Sequence, residues 1–570
     1  MAKKKPNIVL MFADDLGYGD VSSFNPNSKI NTKNIDRLAE EGMRFKDSHA
    51  TSALCTPSRY GLLTGRYNWR SRLKSFVVRG DSETLIEKDR KTLAHLLQEN
   101  GYRTAAVGKW HLGMDWELLD EPNYEHFSLD PDDPDYQKIE NQYGRDGNFD
   151  IRLQQPKIEG LDIDYTKPIK YGPNDFGFDY FFGTSASIDQ PPYVYIENNR
   201  FTAEPTIFYG LPDVARDNPS QQQAWQMGPA DPEFKVENVM PDMQEKVLDL
   251  LDDFGDRDEP FFLYYPTHLV HGPLVPADEF EGLSGLGLYG DFVLQLDAYV
   301  GQVIDKLKEK GVFEDTIFIF TSDNGASAVA GFDELKEQGH NPSHIFRGLK
   351  ADAWEGGHRE PTIVSYPRMI EPGTTSNHMV SHSDYYRTIA DILDVELPDD
   401  TAEDSVSLVS LWQGYDKALR EDIVHSTGNG GLAIRRGQWK LILVENGGGF
   451  EALGNTNFEP QELYDIQADI SEEENVIDEH PEVVEELTGI LEEYVKKGRS
   501  TEGTPQENER NNPYGDWEQL EWMSDYESYI EQFKKDGEEA PAKQEDKKAE
   551  EKQKKKMNKD QPQLEEKKAE

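Results

Sequence analysis

From Ile8 to Ala13 every residue of NIVLMFADD is apolar, and the run stops at paired aspartates, Asp14 and Asp15. A short unbroken apolar run that ends in polar residues predicts a strand buried on both faces, since a half-exposed strand would alternate. The pattern changes in KTLAHLLQENGYRTAAVGKWHLG (91–113), where apolar positions first recur at helical spacing. They pause at Gly101, then resume as a strand that exits into Lys109, Trp110 and His111. The same order returns in DFVLQLDAYVGQVIDKLKEKG (291–311) and DTIFIFTSDNG (315–325), with Gly311 as the break and Ser322, Asp323 and Asn324 at the exit. Helix and strand patterns alternating at this spacing predict an α/β sheet. In open sheets of that kind ligands collect beyond the carboxyl ends of the strands, and three polar clusters fall there.

Between these segments the pattern weakens. Residues 120–175 and 205–240 are rich in Asp, Pro, Tyr and Asn and read as long loops over the sheet. After YPRMI and the helical SDYYRTIADIL, the segment GLAIRRGQWKLILVENG (431–447) predicts two short strands about a glycine turn. PEVVEELTGILEEYVKKG (481–498) then predicts an acidic amphipathic helix. The expected organisation is a catalytic α/β unit over 1–400, a smaller C-terminal α+β unit over 401–532, and a charged low-complexity tail over 533–570. From Asp536 on the tail has no aromatic residue and almost no aliphatic one, so it has no core of its own.

Composition narrows the class. With 109 acidic against 60 basic residues the formal charge is −49, a field that disfavours nucleic acid as a partner. A polyanionic substrate would need local lysines and arginines to reverse that field. No apolar run approaches the roughly 20 residues needed to span a bilayer. The basic start MAKKK leads directly into the first strand pattern, so it reads as structure rather than as a secretory leader. A single cysteine leaves the redox compartment open.

Candidate chemistry gathers at the strand exits. Adjacent carboxylates at Asp14 and Asp15 repel each other, and a cation relieves that cost. Asp323 and Asn324 offer the same oxygen chemistry from a second strand, a donor set that suits Ca²⁺ or Mg²⁺ better than zinc. Cys55, in LCTPSRYGLLTGR, has a bland reading as a small buried hydrophobe. Its sharper reading places it near the amino end of a helix begun by Pro57 and Ser58, where free amides favour an anion and Arg59 reaches toward the same charge. The residues alone end at an anion-handling nucleophile beside a cation.

CTPSR followed by LLTGR resembles the signature of the formylglycine-dependent sulfatases, arylsulfatase-like members of the alkaline phosphatase superfamily. The similarity continues in family order through NIVLMFADDLGYGD, GKWHLG, the HGP triplet, TSDNG and FRGLKADAWEGGHREP. It implies an alkaline-phosphatase-like α/β sandwich around a large mixed sheet, with a smaller C-terminal domain. It implies that Cys55 is matured to formylglycine by a formylglycine-generating or anaerobic sulfatase-maturing enzyme. It further implies that Asp14, Asp15, Asp323 and Asn324, with residue 55, hold Ca²⁺. Arg59 matches the residue that steadies the formylglycine hydrate, Lys109 and Lys350 match the sulfate-binding lysines, and His111 matches the histidine that contacts the hydrate. Ser187 matches a more variable serine near the leaving group.

YYPTHLVHGP contains two histidines, and only His271, with Pro273, meets the family's H-x-P form. His268 reads as a residue behind the site, a substrate contact or a loop histidine. His344, His358 and Arg359 are candidate substrate contacts, with packing under the site as the alternative for His358, and His340 reads as an ordinary loop residue. The resemblance implies sulfuric ester hydrolysis. The aromatic, amide-bearing stretch YFFGTSASIDQPPYVYIENNR resembles glycan-directed sulfatases, which points to a sulfated carbohydrate, galactose- or N-acetylgalactosamine-type 6-sulfate, attacked in exo fashion by a periplasmic or extracellular enzyme. A broad arylsulfatase, a phosphonate or phosphate monoester hydrolase, and a non-catalytic protein on the same scaffold are the competing readings.

Overall fold

The computed structural model describes residues 5–127, 160–209, 226, 228–452, 457–509 and 517–534. Most of the 120–175 loop segment and nearly all of the charged tail lie outside them. Ten strands build the main sheet. In chain order they are β1 (Asn7–Ala13), β2 (Met43–Phe45), β3 (Arg103–Lys109), β4 (Tyr180–Thr184), β5 (Ile196–Glu197), β6 (Arg200–Phe201), β7 (Phe261–Pro266), β8 (Thr316–Ser322), β9 (Thr362–Ser365) and β10 (Thr374–Ser376). Their spatial order is β10-β2-β9-β8-β1-β7-β3-β4-β5-β6. The central pairs β8–β1, β1–β7, β7–β3 and β3–β4 are parallel, while β9 joins β8 antiparallel, so the sheet is mixed.

Side chains from alternate positions of the central strands enter two separate cores. Val9, Met11, Leu263, Phe318 and Phe320 face one layer, and Ile8, Leu10, Phe12, Phe262, Ile317 and Ile319 face the other. This is why β1 reads as a continuous apolar run: each burial contributes roughly 1.5–3 kcal/mol and neither face meets water. The first layer is covered by α1 (Lys33–Glu40), α4 (Val239–Gly255) and α5 (Gly287–Glu309), the second by α2 (Cys55–Thr64), α3 (Leu93–Glu99) and α6 (Asp384–Ile392). The expected α/β sandwich is what forms.

A second, four-stranded antiparallel sheet follows: β11 (Asp422–Ser426), β12 (Leu432–Arg436), β13 (Trp439–Ile442) and β14 (Glu462–Asp465). Leu487, Leu491 and Val495 of α7 (Pro481–Lys497) pack with Val424, Ile434 and Leu441 of this sheet in a third core. The glycine turn lies at Gly437, φ +57°, as the sequence pattern indicates. One departure concerns 205–240, read as loop. Ile207–Tyr209 and Gly228–Ala230 pair as a short antiparallel ribbon, too brief to leave a periodic signal.

The buried histidines make stability acid-sensitive. His382 of the second layer packs against Phe12, its Nε2 lies 3.0 Å from Thr321 Oγ1, and burial lowers its pKa to about 3. A histidine held neutral in the fold but free to protonate at 6.5 when unfolded contributes stability that is complete above pH 6.5. That contribution is lost progressively as pH falls toward 3. The melting temperature is expected to fall as pH drops below 6.5, with a shallower slope in His382→Asn. Equal slopes for the two proteins would refute this origin.

Candidate active site

Five adjacent strand ends deliver the site. The register Ala13↔Ser322 sets Asp14 and Asp15 beside Asp323, and the chain locks there through Asp323 N–H donating to Ala13 O (3.0 Å) and Asp14 N–H to Leu269 O (2.7 Å). Lys109 ends β3, Ser187 follows β4, and His268 and His271 follow β7. Gly108 has φ +134°, and a Cβ there would fall 2.0 Å from Pro266 O, so only glycine lets β3 lie this close to the exit of β7. Asp15 and His111 themselves occupy the left-handed region, φ 60° and 56°. Such costly backbone at two non-glycine residues is characteristic of functional sites.

Cys55 is the first residue of α2, two positions earlier than the helix start expected at Pro57. Leu54 is extended, and the helix closes on Gly65 at φ 66°. Cys55 is 3% exposed, and burial pushes its thiol pKa up although Lys109 and Lys350 oppose the rise. As a thiol it is therefore a poor nucleophile. Arg59, one turn along α2, is fully buried and pairs with Asp323 Oδ2 through Nε (3.1 Å) and Nη2 (2.7 Å). It also donates to Lys109 O (3.0 Å).

Lys109 Nζ lies 2.6 Å from Asp14 Oδ2 and 3.2 Å from Ser187 Oγ, and Lys350 Nζ lies 2.6 Å from Asp15 Oδ1. Burial alone would raise the Asp14 pKa, but Lys109, His271, Arg59 and Lys350 hold it well below the usual carboxylate range. Asp323 goes the other way, to about 6, through burial and repulsion from Asp14. Asp14, Asp15 and Asp323 balance Arg59, Lys109 and Lys350, so a divalent cation would turn the pocket net positive. That reverses locally the field of the acidic chain.

The donor set fits such a cation. Asp14 Oδ1 and Asn324 Oδ1 are buried without a hydrogen-bond partner, while Asn324 Nδ2 donates to Asp15 Oδ1 at 2.7 Å. Ligand atoms of Asp14, Cys55 and Asp323 lie within 4.8 Å of one another, as do those of Asp14, Asp15 and His271. Buried carboxylates and an amide oxygen gathered at one place are the chemistry of a hard cation.

His111 is buried. Its Nε2–H donates to Val78 O (2.9 Å), leaving Nδ1 without a partner. Burial, then Lys109 and Arg59, depress its pKa well below the ordinary value, so the ring stays neutral. The orienting carbonyl of Val78 has no signature in the sequence, because any residue supplies one. His271 is the more open histidine. Its Nε2 lies 3.8 Å from Asp15 Oδ2, its ring nitrogens are 3.2 and 3.4 Å from Ser187 Oγ, and its Nδ1 donates to Gly272 O (2.6 Å).

The remaining candidates separate. His268 is wholly buried against Thr184 Oγ1 (3.0 Å), behind the residues named above. His358 is also wholly buried, against Ala353 O and His49. Arg359 pairs with Asp47 and Glu355, and its guanidinium lies over Phe346. His358 therefore occupies the packed alternative offered by the sequence, and the Arg359 guanidinium is engaged by ion pairs within the fold. His344 is half-buried and stacks on Tyr18. His340 lies in a loop as read, but a buried one, with Nε2 2.8 Å from Asp20 Oδ1.

A central sheet whose parallel strands deliver carboxylates, lysines and a helix-borne cysteine to one edge defines a hydrolase of the alkaline-phosphatase-like class. The family model described as sulfatase matches residues 6–395, and that of the N-sulphoglucosamine sulphohydrolase C-terminal region matches 350–498. The chain belongs to the formylglycine-dependent sulfatase family and is a sulfatase-type hydrolase. It is 36% identical to an N-acetylgalactosamine-6-O-sulfatase of Bacteroides thetaiotaomicron, over 86% of this chain and 93% of that one. It is 29% identical to human arylsulfatase A, over 83% and 84% of the two chains. Among solved structures, a 6S sulfatase from the glycosaminoglycan metabolism of Bacteroides thetaiotaomicron is similar. It is 34% identical with a TM-score of 0.69, covering 86% of this chain and 99% of its own. No helix among the described residues is long and apolar enough to cross a membrane.

Proposed function

We propose that this sulfatase removes 6-sulfate from a galactose- or N-acetylgalactosamine-type sugar in exo fashion, with residue 55 matured to formylglycine and Ca²⁺ as cofactor. The observation that carries the reading is the convergence of Cys55, Arg59, Lys109, His111 and Lys350 on the Asp14–Asp15–Asp323–Asn324 cluster. The sugar is supported by the similarity to the N-acetylgalactosamine-6-O-sulfatase. Maturation would need a formylglycine-generating or anaerobic sulfatase-maturing enzyme, and a glycan substrate would place the protein in the periplasm or outside the cell.

In this reading Sγ of Cys55 stands where the oxygens of the matured residue would sit. Once formed, the hydrated aldehyde supplies an oxygen nucleophile and a second hydroxyl through which sulfate is later released. Asp14, Asp15, Asp323 and Asn324 would hold the calcium ion, whose charge neutralises the sulfate oxygens. Lys109 and Lys350 bind the same oxygens from their places beside Asp14 and Asp15, stabilising charge that shifts as the S–O bond breaks. Arg59, fixed by Asp323 and Lys109 O, fixes the nucleophilic residue. Neutral His111, with Nε2–H engaged by Val78 O, has its Nδ1 lone pair free to take the proton whose removal expels sulfate. His271, held by its Nδ1–H bond to Gly272 O, gives a proton to the departing alcohol.

Leaving-group dependence tests this assignment. His271→Ala is expected to lose about 10²–10⁴-fold in kcat on a sugar sulfate, whose alkoxide needs a proton, and far less on a nitrophenyl sulfate. Equal losses on both would remove His271 from that role. The function itself is tested by sulfate release from N-acetylgalactosamine 6-sulfate, galactose 6-sulfate and matched phosphate esters. Preference for a phosphate would favour the monoester phosphohydrolase reading. Activity confined to aryl sulfates would favour a broad arylsulfatase.

A further inference from the structure

A second group of buried histidines lies where the catalytic sheet meets the C-terminal one, and the proposed reaction does not use it. His49 precedes the Cys55 loop, His358 follows the WEGG turn, and His425 is on β11. All three are fully buried, and a ligand nitrogen from each lies within 4.8 Å of the other two.

Their hydrogen bonds constrain which nitrogens carry protons. Carbonyl oxygens only accept, so His425 Nδ1 donates to Ala50 O (3.2 Å). His358 Nε2 lies between Ala353 O (2.9 Å), to which it can donate, and Lys440 Nζ (3.1 Å), from which it can accept. His49 Nε2 faces Asp47 Oδ1 at 2.9 Å, and Arg359 and Arg435 keep that carboxylate charged, so this nitrogen also donates. The nitrogens left over are His49 Nδ1, His358 Nδ1 and His425 Nε2. The first two lie 3.1 Å apart, a hydrogen bond when His358 carries its proton on Nδ1 and a pair of facing lone pairs when it carries it on Nε2, and the third has no partner. Burial lowers the pKa of all three, so the rings are neutral, and a cation between them would select the tautomer that carries the His358 proton on Nε2.

We propose that His49, His358 and His425 form a site for a divalent first-row metal ion, zinc foremost, bound through His49 Nδ1, His358 Nδ1 and His425 Nε2. Three imidazoles without a carboxylate oxygen among the ligands select zinc over calcium. A separation of 3.1 Å is close to the roughly 3.3 Å edge of a tetrahedron with 2.0–2.1 Å metal–nitrogen bonds. Each ring also has the outer partner that orients a metal-binding histidine: a carboxylate for His49 and a backbone carbonyl for the other two. The rings of His358 and His425 stack at 3.7 Å, so binding requires the His425 ring to turn until its Nε2 converges on the ion, at the expense of its present 3.2 Å bond to Ala50 O. Lys440, 3.1 Å from His358 Nε2, is held by Glu355 (3.0 Å) and Glu472 (2.8 Å). With Asp47, Arg359 and Arg435 these groups balance in charge around the site. The ion would join three chain segments, two from the catalytic unit and one from the C-terminal sheet.

The test is independent of the sulfatase chemistry. The full chain is stripped with a chelator, given back calcium, and titrated with zinc while bound metal is counted by plasma mass spectrometry. One zinc per chain is expected. With cobalt in its place, the visible ligand-field bands of a four-coordinate ion should appear. His425→Phe should weaken zinc binding more than about 100-fold while calcium content stays constant, and Asp323→Ala should still bind one zinc. No stoichiometric zinc on the wild-type chain overturns the proposal whatever the variants do. Zinc that survives His425→Phe, or is lost with Asp323→Ala, overturns it as well.

Discussion

Cys55→Ala protein, expressed with a competent maturation system, is expected to release sulfate at least about 10³-fold more slowly than the parent while folding normally. Alanine removes the side chain proposed to become the nucleophile, and it leaves the Asp14, Asp15 and Asp323 carboxylates, Arg59 and both lysines in place. The structural cost is small, because Cys55 is a small side chain among Leu54, Val77 and Ala351, and loss of one buried sulfur costs about 1 kcal/mol. The variant should therefore bind a sulfated sugar without turning it over. Parental protein made without maturation should behave the same way, since burial raises the thiol pKa of Cys55 and keeps it protonated. Rapid turnover by the alanine variant would assign the nucleophile elsewhere. Equilibrium dialysis with the sugar sulfate separates lost chemistry from lost binding.

The second large effect is on stability, at Arg70. Its guanidinium is fully buried, bonded to both oxygens of Asp404 at 2.9 Å and to Tyr494 O at 2.8 Å, and it lies 4.1 Å over the Trp69 ring. It thereby ties the segment after the cysteine helix to α7 of the C-terminal unit. Arg70→Met leaves Asp404 buried with only the backbone N–H groups of Tyr67 and Ser500, and is expected to cost about 3–5 kcal/mol. Arg70→Met combined with Asp404→Leu removes both charges and should recover a large part of that loss. Chemical denaturation of the two variants checks this, and a double variant no more stable than the single one would contradict it.

The central sheet was legible because its strands are buried on both faces. Unbroken apolar runs such as Ile8–Ala13 have one structural meaning when polar residues end them, and those ends are where the site lies. The glycine stops at Gly101, Gly311 and Gly437 marked three turns correctly. What stayed hidden depends on partners far away in sequence. Cys55 begins α2 itself because Leu54 turns extended, which a proline at position 57 does not signal. The packing of His358 and His340 depends on segments hundreds of residues away in sequence, His49 against His358 and Asp20 against His340. The motif CTPSR…LLTGR named the chemistry, whereas charge pairing across Asp14, Asp323, Lys109 and Arg59 could be read only in three dimensions. The substrate rests on similarity to known enzymes, because the aromatic stretch near Ser187 fits an aryl ring as readily as a sugar.

The most direct single measurement is the mass of the peptide spanning residue 55, taken from protein whose sulfate release is assayed in the same preparation. Conversion of the thiol to an aldehyde lowers that mass by about 18 Da, and the modified fraction should track the active fraction across preparations with more or less maturation enzyme. An unmodified cysteine in fully active protein would contradict the account.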